Sequence, residues 1–153
     1  MFNVVYYEPE IPSNTGATIR LCANTGSRLH LIEPLAFEMD DKRLRRAGLD
    51  YHEYVNVKLW SDFSSYERQA TGKIYACSTH AEHYYSDCNF SIGDTLLFGP
   101  ETRGLPKNIL QTFPESQQIR IPMNSESRSL NLANATAIIL YEAWRQIGFK
   151  AGK

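Results

Sequence analysis

The sequence predicts a single α/β domain built on a mostly parallel β-sheet with helices on its faces. Short runs rich in β-branched and aromatic residues alternate with helical segments, which is the pattern of βαβ units. The 153 residues fall within the usual size of one domain and can bury a substantial core. No internal repeat or low-complexity linker divides residues 1–153, so one domain is expected to cover them all.

The start of the chain predicts one complete βαβ unit. Residues 2–7 (FNVVYY) form an apolar run typical of a buried strand. Pro12 suits a first helical turn, and Gly26 is a natural stop for the helix that follows. Residues 28–32 (RLHLI) supply the second strand. Because a helix joins the two strands, we expect them to be parallel.

The remainder of the chain predicts four more strands and four more helices. The last helix is apolar nearly all round between Ala133 and Trp144, which indicates burial on more than one side, for example at a subunit interface. The predicted strands are residues 55–60, 73–78, 95–98 and 118–121, and the predicted helices are a basic segment at 42–46, then 61–70, 107–112 and 132–148.

Composition and charge exclude several classes of protein. Hydrophobic residues make up 42% and charged residues 22%, which are globular proportions. No apolar run could span a bilayer and no signal peptide is evident, so we expect a cytoplasmic protein without membrane contact. Three cysteines without a CxxC pair indicate reduced thiols. A net charge of -1 argues against coating nucleic acid by bulk charge, although it permits a local basic patch.

Three loops, each after a predicted strand, contain the residues with the most chemical capability. They are the first loop (residues 8–16), the second loop (98–106) and the third loop (121–131). The carboxyl ends of parallel strands share one edge of a sheet, where ligands collect. We therefore expect the three loops to meet.

Arg20 follows the first loop and shares a helical face with Gly16 and Asn24. It would stand over a position without a side chain, where a phosphate or sugar could approach. A solvated arginine is the alternative interpretation.

The second and third loops also allow two interpretations each. Glu101 and Arg103 lie between two glycines, which offers exposed backbone amides and fixed charge, although a plain tight turn is the alternative. Ser129 and Asn131 precede an apolar helix, where they would either grip a ligand or cap the helix.

In order and spacing, these loops resemble the SPOUT class of RNA methyltransferases, and most closely its TrmL/YibK branch of tRNA 2′-O-methyltransferases. The resemblance implies a C-terminal trefoil knot, S-adenosylmethionine bound in a bent form among the knotted loops, and a homodimer through the C-terminal and first helices. The dimer would use Ala137, Leu140, Tyr141 and Trp144. The resemblance covers essentially the whole chain, through residues 7–26 (YEPEIPSNTGATIRLCANTG), 33–53 (EPLAFEMDDKRLRRAGLDYHE), 96–106 (LLFGPETRGLP), 119–137 (IRIPMNSESRSLNLANATA) and 141–146 (YEAWRQ).

The resemblance implies that S-adenosylmethionine contacts mostly backbone, and that S-adenosylhomocysteine is the product. This chain has Cys77 where the branch commonly has leucine, and Ser78-Thr79-His80 where it has Thr-Thr-Lys, which still permits backbone contacts. Residues 82–90 match poorly, and we assign them no function. The implied cofactor-binding residues are Cys77, Ser78, Thr79, Gly99, Glu101, Ile121, Ser129 and Leu130.

The implied reaction methylates a ribose 2′-hydroxyl of tRNA, at the wobble cytidine or modified uridine of leucine tRNAs. It needs in-line approach, a dry pocket and loss of the hydroxyl proton, and it requires no metal. Arg20 is the implied activator, acting on the hydroxyl or through the adjacent phosphate. The implied positioning residues for the ribose and the loops are Asn14, Ser129 and Asn131, and Glu101 would order the cofactor loop.

Two further groups of residues have alternative interpretations. The basic run is either a solvated helix face or a set of RNA phosphate contacts, formed by Lys42, Arg43, Arg45 and Arg46. A second group has spacings compatible with zinc, but its first member ends a strand that the cofactor would use, so we expect no metal. That group is Cys77, His80, His83 and Cys88.

Three rival functions stay open at this point. One is a non-catalytic tRNA-binding module of the same fold, and another is a 2′-O-methyltransferase that acts elsewhere on tRNA. The third is a different nucleotide-binding α/β enzyme whose loops only mimic these motifs. Methyl incorporation would separate catalysis from binding alone.

Overall fold

A computed structural model describes residues 1–40, 42–45, 51–54 and 56–153 of the chain. Its strands are β1 (Asn3–Tyr7), β2 (Arg28–Ile32), β3 (Val57–Trp60), β4 (Ile74–Cys77), β5 (His83–Tyr84), β6 (Thr95–Phe98) and β7 (Gln118–Arg120). Its helices are α1 (Pro12–Thr25), α2 (Lys42–Arg45), α3 (Tyr51–Tyr54), α4 (Phe63–Glu67), α5 (Lys107–Leu110) and α6 (Leu132–Gln146), with 3₁₀ turns at Tyr85–Asp87 and Glu115–Gln117.

The seven strands form one sheet in the order β3-β2-β1-β6-β4-β7-β5, and every described pairing is parallel. The predicted α/β class with a parallel sheet is therefore confirmed. Phe98 lies beside both Tyr6 and Cys77, and Cys77 lies beside Ile119. The carboxyl ends of β1, β6, β4 and β7 consequently stand side by side. The trefoil knot stays a prediction.

The ends of α1 follow from local chemistry, as the sequence predicted. Pro12 lies in its first turn, where a missing N–H costs nothing. Gly26 closes the helix in the left-handed region at φ 65° and donates to the carbonyls of Ala23 and Cys22. Helix α6 likewise begins at Leu132 as predicted, and it ends at Gln146, close to the predicted end at 148.

Other predicted elements differ in length from the observed ones or lie partly outside the described residues. Helix α4 stops at Glu67 rather than at residue 70, and β3 begins at Val57, with Val55 outside the described residues. The unpredicted strand β5 is two exposed residues long, too short for any periodicity. Beyond it, Gln146 of α6 accepts from Phe90 N at 2.9 Å and donates to Cys88 O at 3.0 Å. The stretch 82–90 therefore has a structural attachment to α6.

Alternate residues of the central strands enter two separate cores. Val4 and Tyr6 face the core that α1 and α6 cover, whereas Val5 enters the opposite core with residues of α4. The Tyr6 hydroxyl lies 2.5 Å from Thr18 Oγ1 and 2.8 Å from Thr136 Oγ1, and burial raises its pKa. Tyr6 thus links the central strand to both helices whose starts border the predicted site.

None of the helices within the described ranges has the length and apolar character to cross a membrane.

His30 on β2 lies in a buried hydrogen-bonded network, and its titration should make the stability of the fold depend on pH. Trp60 Nε1 donates to His30 Nδ1 at 3.1 Å, so Nε2 carries the proton toward Asn3 Oδ1 at 3.2 Å. Burial, followed by the charges of Lys58 and Arg28, lowers the pKa of His30 to about 4.

Acidification should therefore destabilise the fold through His30. Because the folded-state pKa lies below the unfolded value of about 6.5, protonation favours unfolding as pH falls from neutral toward 4. We expect the free energy of unfolding to fall by about 2 kcal/mol more between pH 7 and pH 5 than in His30→Gln, whose amide does not titrate. Urea unfolding at the two pH values measures this, and equal losses in both proteins would refute it.

Candidate active site

A cavity of about 490 Å³ lies beyond the carboxyl ends of the central strands, where the three loops meet. Ile11 and Asn14 line it from the first loop, residues 98–105 from the second, and Ile121, Met123 and residues 129–131 from the third. Residues 77–80, at the end of β4 and directly after it, complete the wall. The prediction that the three loops come together is confirmed.

All the sequence-predicted cofactor-binding residues line this cavity, as do Asn14 and Asn131. The cavity volume lies within the range of about 300–1,000 Å³ typical of small-molecule sites. Apolar walls come from Phe98, Leu132 and Ile139, and the lining loops contribute exposed backbone. The individual contacts of Cys77, Ser78, Thr79, Gly99, Glu101, Ile121, Ser129 and Leu130 with a cofactor stay predictions.

Glu101 joins the second loop to the first. Its Oε2 accepts from Glu10 N at 2.7 Å, and its Oε1 accepts from Ile11 N at 3.0 Å and Asn14 Nδ2 at 3.3 Å. These amides precede α1, where a carboxylate is also favoured by the helix dipole. The charged residue between the glycines therefore orders a neighbouring loop, which a plain tight turn would not do.

Glu10 makes the reciprocal contact from the first loop to the second. Its Oε1 accepts from Thr102 N at 3.0 Å and from Thr102 Oγ1 at 2.8 Å. These hydrogen bonds lower the pKa of Glu10. Arg103 adds an exposed ion pair, with Nη2 3.3 Å from Glu8 Oε2. We call the paired contacts of Glu10 and Glu101 the reciprocal clasp.

Asn131 connects the third loop to the first. Its Oδ1 accepts from Ala133 N at 2.9 Å and Asn134 N at 3.2 Å, so it caps α6. Its Nδ2 donates to Asn14 Oδ1 at 2.8 Å. Asn14 is only 5% exposed and donates in turn to Glu101. The capping interpretation of Asn131 is therefore confirmed, and the same amide also joins the three loops, whereas its grip on a ligand stays a prediction.

Gly99 permits a close approach within the second loop. A Cβ at this position would lie 2.1 Å from Leu105 N and 2.2 Å from Gly104 C. No real Cβ tolerates such distances to backbone. The loop therefore folds back on itself at a point that only glycine can occupy.

Arg20 lies on α1 but is not among the described residues that line the cavity. It is exposed, whereas Gly16 is buried, and its guanidinium meets Glu53 of α3. Nε lies 3.1 Å from Oε1, and Nη2 lies 3.5 Å from Oε2. The sequence did not predict this ion pair, since no local spacing relates the two residues.

The basic segment lies next to the helix that carries Arg20. Lys42 and Arg43 are exposed on α2, which packs against α1 and buries Leu44. Arg45 ends α2, and Arg46 lies outside the described residues. A phosphate-binding role for this segment stays a prediction.

A polar atom in the cavity wall has no partner of its own. Arg120 Nε is buried and finds no hydrogen-bond acceptor among the described residues, and Arg120 lines the cavity. A ligand acceptor would satisfy it once the side chain turns toward the cavity, because Nε itself is buried. Together with the apolar walls and exposed backbone, this fits a ligand of the size and mixed polarity of S-adenosylmethionine.

The cysteines and histidines with zinc-compatible spacing are not clustered as metal ligands in the described part of the chain. Across the parts of the chain that the structure describes, no three His, Cys, Asp or Glu side chains are arranged to hold a metal. Cys77 and Cys88 are free thiols, and burial raises the pKa of both.

Comparison with known proteins gives consistent results. The SpoU rRNA Methylase family matches residues 1–141. A tRNA (cytidine(34)-2′-O)-methyltransferase from Aeromonas hydrophila is 57% identical over 150 residues, covering 97% of this chain and 96% of that protein. The protein of the same name from Escherichia coli K12 is 55% identical with the same coverage.

Solved structures agree with the sequence relatives. One, from work on 2-OH methylation of C/U34 on tRNA, has a TM-score of 0.89 and 42% identity, covering 97% of each chain. Another is the SpoU methyltransferase AviRb from Streptomyces viridochromogenes in complex with the cofactor AdoMet. It has a TM-score of 0.77 and 27% identity, covering 95% of this chain and 60% of that one.

Proposed function

Since the chain belongs to the SpoU rRNA methylase family, we propose that it methylates the ribose 2′-hydroxyl of nucleotide 34 in tRNA with S-adenosylmethionine. The observation that carries this proposal is identity above 50%, over nearly the whole chain, to tRNA (cytidine(34)-2′-O)-methyltransferases. The loop network of Asn14, Glu101 and Asn131 is intact. It supports a working site rather than a binding module that has lost turnover.

Cofactor binding is the role we propose for the cavity. When bound, S-adenosylmethionine supplies the methyl group as an activated sulfonium, and leaves as S-adenosylhomocysteine. The backbone at Cys77, Gly99 and Ile121 would hold it, and Arg120 would meet one of its acceptors. The reciprocal clasp holds the first and second loops together, and it would limit access of water to a bound cofactor on that side.

Substrate positioning is the role we propose for the residues that border the cavity. Asn14 and Asn131 are hydrogen-bonded to each other, which fixes the orientation of both side-chain amides. Either amide would therefore meet the ribose in one defined orientation. Ser129 lies in the same wall. Arg20 would orient the ribose or the adjacent phosphate, and because an arginine is a poor base, the hydroxyl proton would pass to another acceptor such as that phosphate.

The tRNA itself would contact the outer surface of the helices. Lys42 and Arg43 are exposed beside α1, where phosphates near the methylated nucleotide could reach them, and Arg45 and Arg46 continue the same basic run. We place the enzyme in the cytoplasm, since its free cysteines fit a reducing compartment.

The proposal is tested by where the methyl group goes. Purified protein with tritiated S-adenosylmethionine should label leucine tRNA, and mass spectrometry should locate the label at nucleotide 34. A matched tRNA with a 2′-deoxyribose at nucleotide 34 should accept no methyl group. Label at another nucleotide would favour the alternative of a different tRNA position. Binding without label would favour the non-catalytic module.

We also propose that the enzyme is a homodimer through α6 and α1, with a smaller apolar contact than the sequence indicated. Leu140 and Trp144 are 0% and 9% exposed, and Trp144 Nε1 donates to Lys150 O at 3.0 Å, so both belong to the subunit's own core. Ile138 and Tyr141 are 37% and 44% exposed. These two side chains, rather than Leu140 and Trp144, are available to a partner.

Tyr141→Glu should convert the dimer to a folded monomer, because it places a charge in the apolar centre of the contact. Sedimentation velocity at micromolar concentration measures this. Tyr84→Glu is the matched control, since Tyr84 is 46% exposed on β5, outside both α1 and α6, and its replacement should leave the sedimenting mass unchanged. A wild-type protein that is monomeric and fully active would refute the proposal.

A further inference from the structure

Among the described residues, Glu53 contacts the proposed activator and has no role so far. It lies on α3, which packs against α1, and its carboxylate engages one edge of the Arg20 guanidinium through Nε and Nη2. The Glu53 side chain is 18% exposed, against 45% for Arg20. The carboxylate is therefore the more enclosed partner, and the guanidinium is the group that reaches solvent.

An exposed arginine has many rotamers, and ordering it costs up to about 2 kcal/mol of side-chain entropy. A carboxylate held at the edge of the planar fork removes much of that freedom before substrate arrives. Orientation matters here because a misplacement of about 1 Å can cost about 10²-fold in rate. Glu53 is so placed that it can set the orientation of the guanidinium.

The same contact also changes how Arg20 attracts RNA. A neighbouring carboxylate offsets the positive charge of the guanidinium, so Arg20 adds little to bulk attraction of the phosphate backbone. Arg20 would then contribute through the orientation of its guanidinium rather than through its charge. Removing the Glu53 carboxylate should therefore affect the methyl-transfer step at saturating tRNA and have little effect on tRNA affinity.

We propose that Glu53 is a positioning residue that holds the Arg20 guanidinium in the orientation needed for methyl transfer. The proposal rests on the proposed function, in which Arg20 acts on the ribose or its phosphate. The opposite role would be a brake, in which Glu53 competes with RNA phosphate for Arg20. The exposures favour positioning, because RNA can approach the exposed guanidinium without displacing the more enclosed carboxylate.

The test is single-turnover methyl transfer with enzyme in excess and saturating leucine tRNA. Glu53→Gln keeps the shape and one acceptor oxygen but removes the charge, and it should slow transfer at least about tenfold. The dissociation constant of S-adenosylmethionine and the thermal midpoint should stay at wild-type values. Glu53→Asp, which keeps the charge, should recover part of the rate. Glu67→Gln on α4, an exposed carboxylate in the opposite layer, is the matched control.

A double-mutant cycle separates positioning from a purely structural role. If Glu53 acts through Arg20, Glu53→Gln should cause no further loss in the Arg20→Ala background, whose residual rate is followed over long incubations. A wild-type or increased rate in Glu53→Gln and Glu53→Asp, or an equal loss in both backgrounds, would overturn the inference. If the inference about Glu53 fails in this way but Arg20→Ala is slow, the proposed function still stands. If Arg20→Ala is fully active, the assigned role of Arg20 fails as well.

Discussion

Arg20→Ala should slow methyl transfer by about 10²–10³-fold, the cost of removing one preorganised donor at a reacting oxygen. The affinity for S-adenosylmethionine should stay within about twofold of wild type, because Arg20 is not among the described residues that line the cavity. Isothermal titration measures the affinity, and single-turnover kinetics measures the rate.

Two comparisons establish what Arg20 does. Arg20→Lys should recover little of the rate, since a point charge lacks the planar fork that meets the Glu53 carboxylate at Nε and Nη2. The loss should persist at saturating tRNA if Arg20 acts in the transition state, and should disappear if it only binds RNA. A rate for Arg20→Ala within a few-fold of wild type would return Arg20 to an ordinary solvated arginine.

Gly99→Ala should abolish measurable binding of S-adenosylmethionine, which means an increase in the dissociation constant of at least about 100-fold. The added Cβ would lie 2.1 Å from Leu105 N, so the backbone of the second loop must move. Glu101 would move with it, and its hydrogen bonds to Glu10 N and Ile11 N would be lost. The added methyl group should therefore displace both the second loop and the first loop, each of which forms a wall of the cavity.

Gly148→Ala is the matched control for this prediction. Gly148 has φ +70°, and a Cβ there meets nothing within 4 Å. Its replacement should cost about 1 kcal/mol of stability from backbone strain, and cofactor affinity should not change. Thermal unfolding combined with titration separates the two variants. Wild-type affinity in folded Gly99→Ala would mean that the second loop does not shape the cofactor site.

The parallel sheet and the meeting of its loops could be predicted because each depends on local signals. Apolar runs mark the strands, Pro12 and Gly26 mark the ends of α1, and parallel strands place their carboxyl ends at one edge. The eight predicted cofactor-site residues depend on resemblance to a family rather than on local signals. All eight line one cavity.

Contacts between distant segments could not be predicted from the sequence. The ion pair of Arg20 with Glu53 and the hydrogen bonds of Glu10 with Thr102 join residues 33 and 92 positions apart. A helix that is apolar on most sides is a related case. Its pattern shows that α6 is buried, but it does not tell which apolar residues face the subunit's own core. The pattern therefore does not separate Leu140 and Trp144, which are buried, from the exposed Tyr141.

The reciprocal clasp has a consequence for how the site opens. Glu10 accepts from the backbone of Thr102, while Glu101 accepts from the backbone of Glu10 and Ile11, so each loop supplies both a donor and an acceptor to the other. Neither loop can detach without breaking the hydrogen bonds that order its neighbour. The two loops therefore form one cooperative unit of local unfolding, and their backbone amides become accessible to solvent exchange in the same opening event.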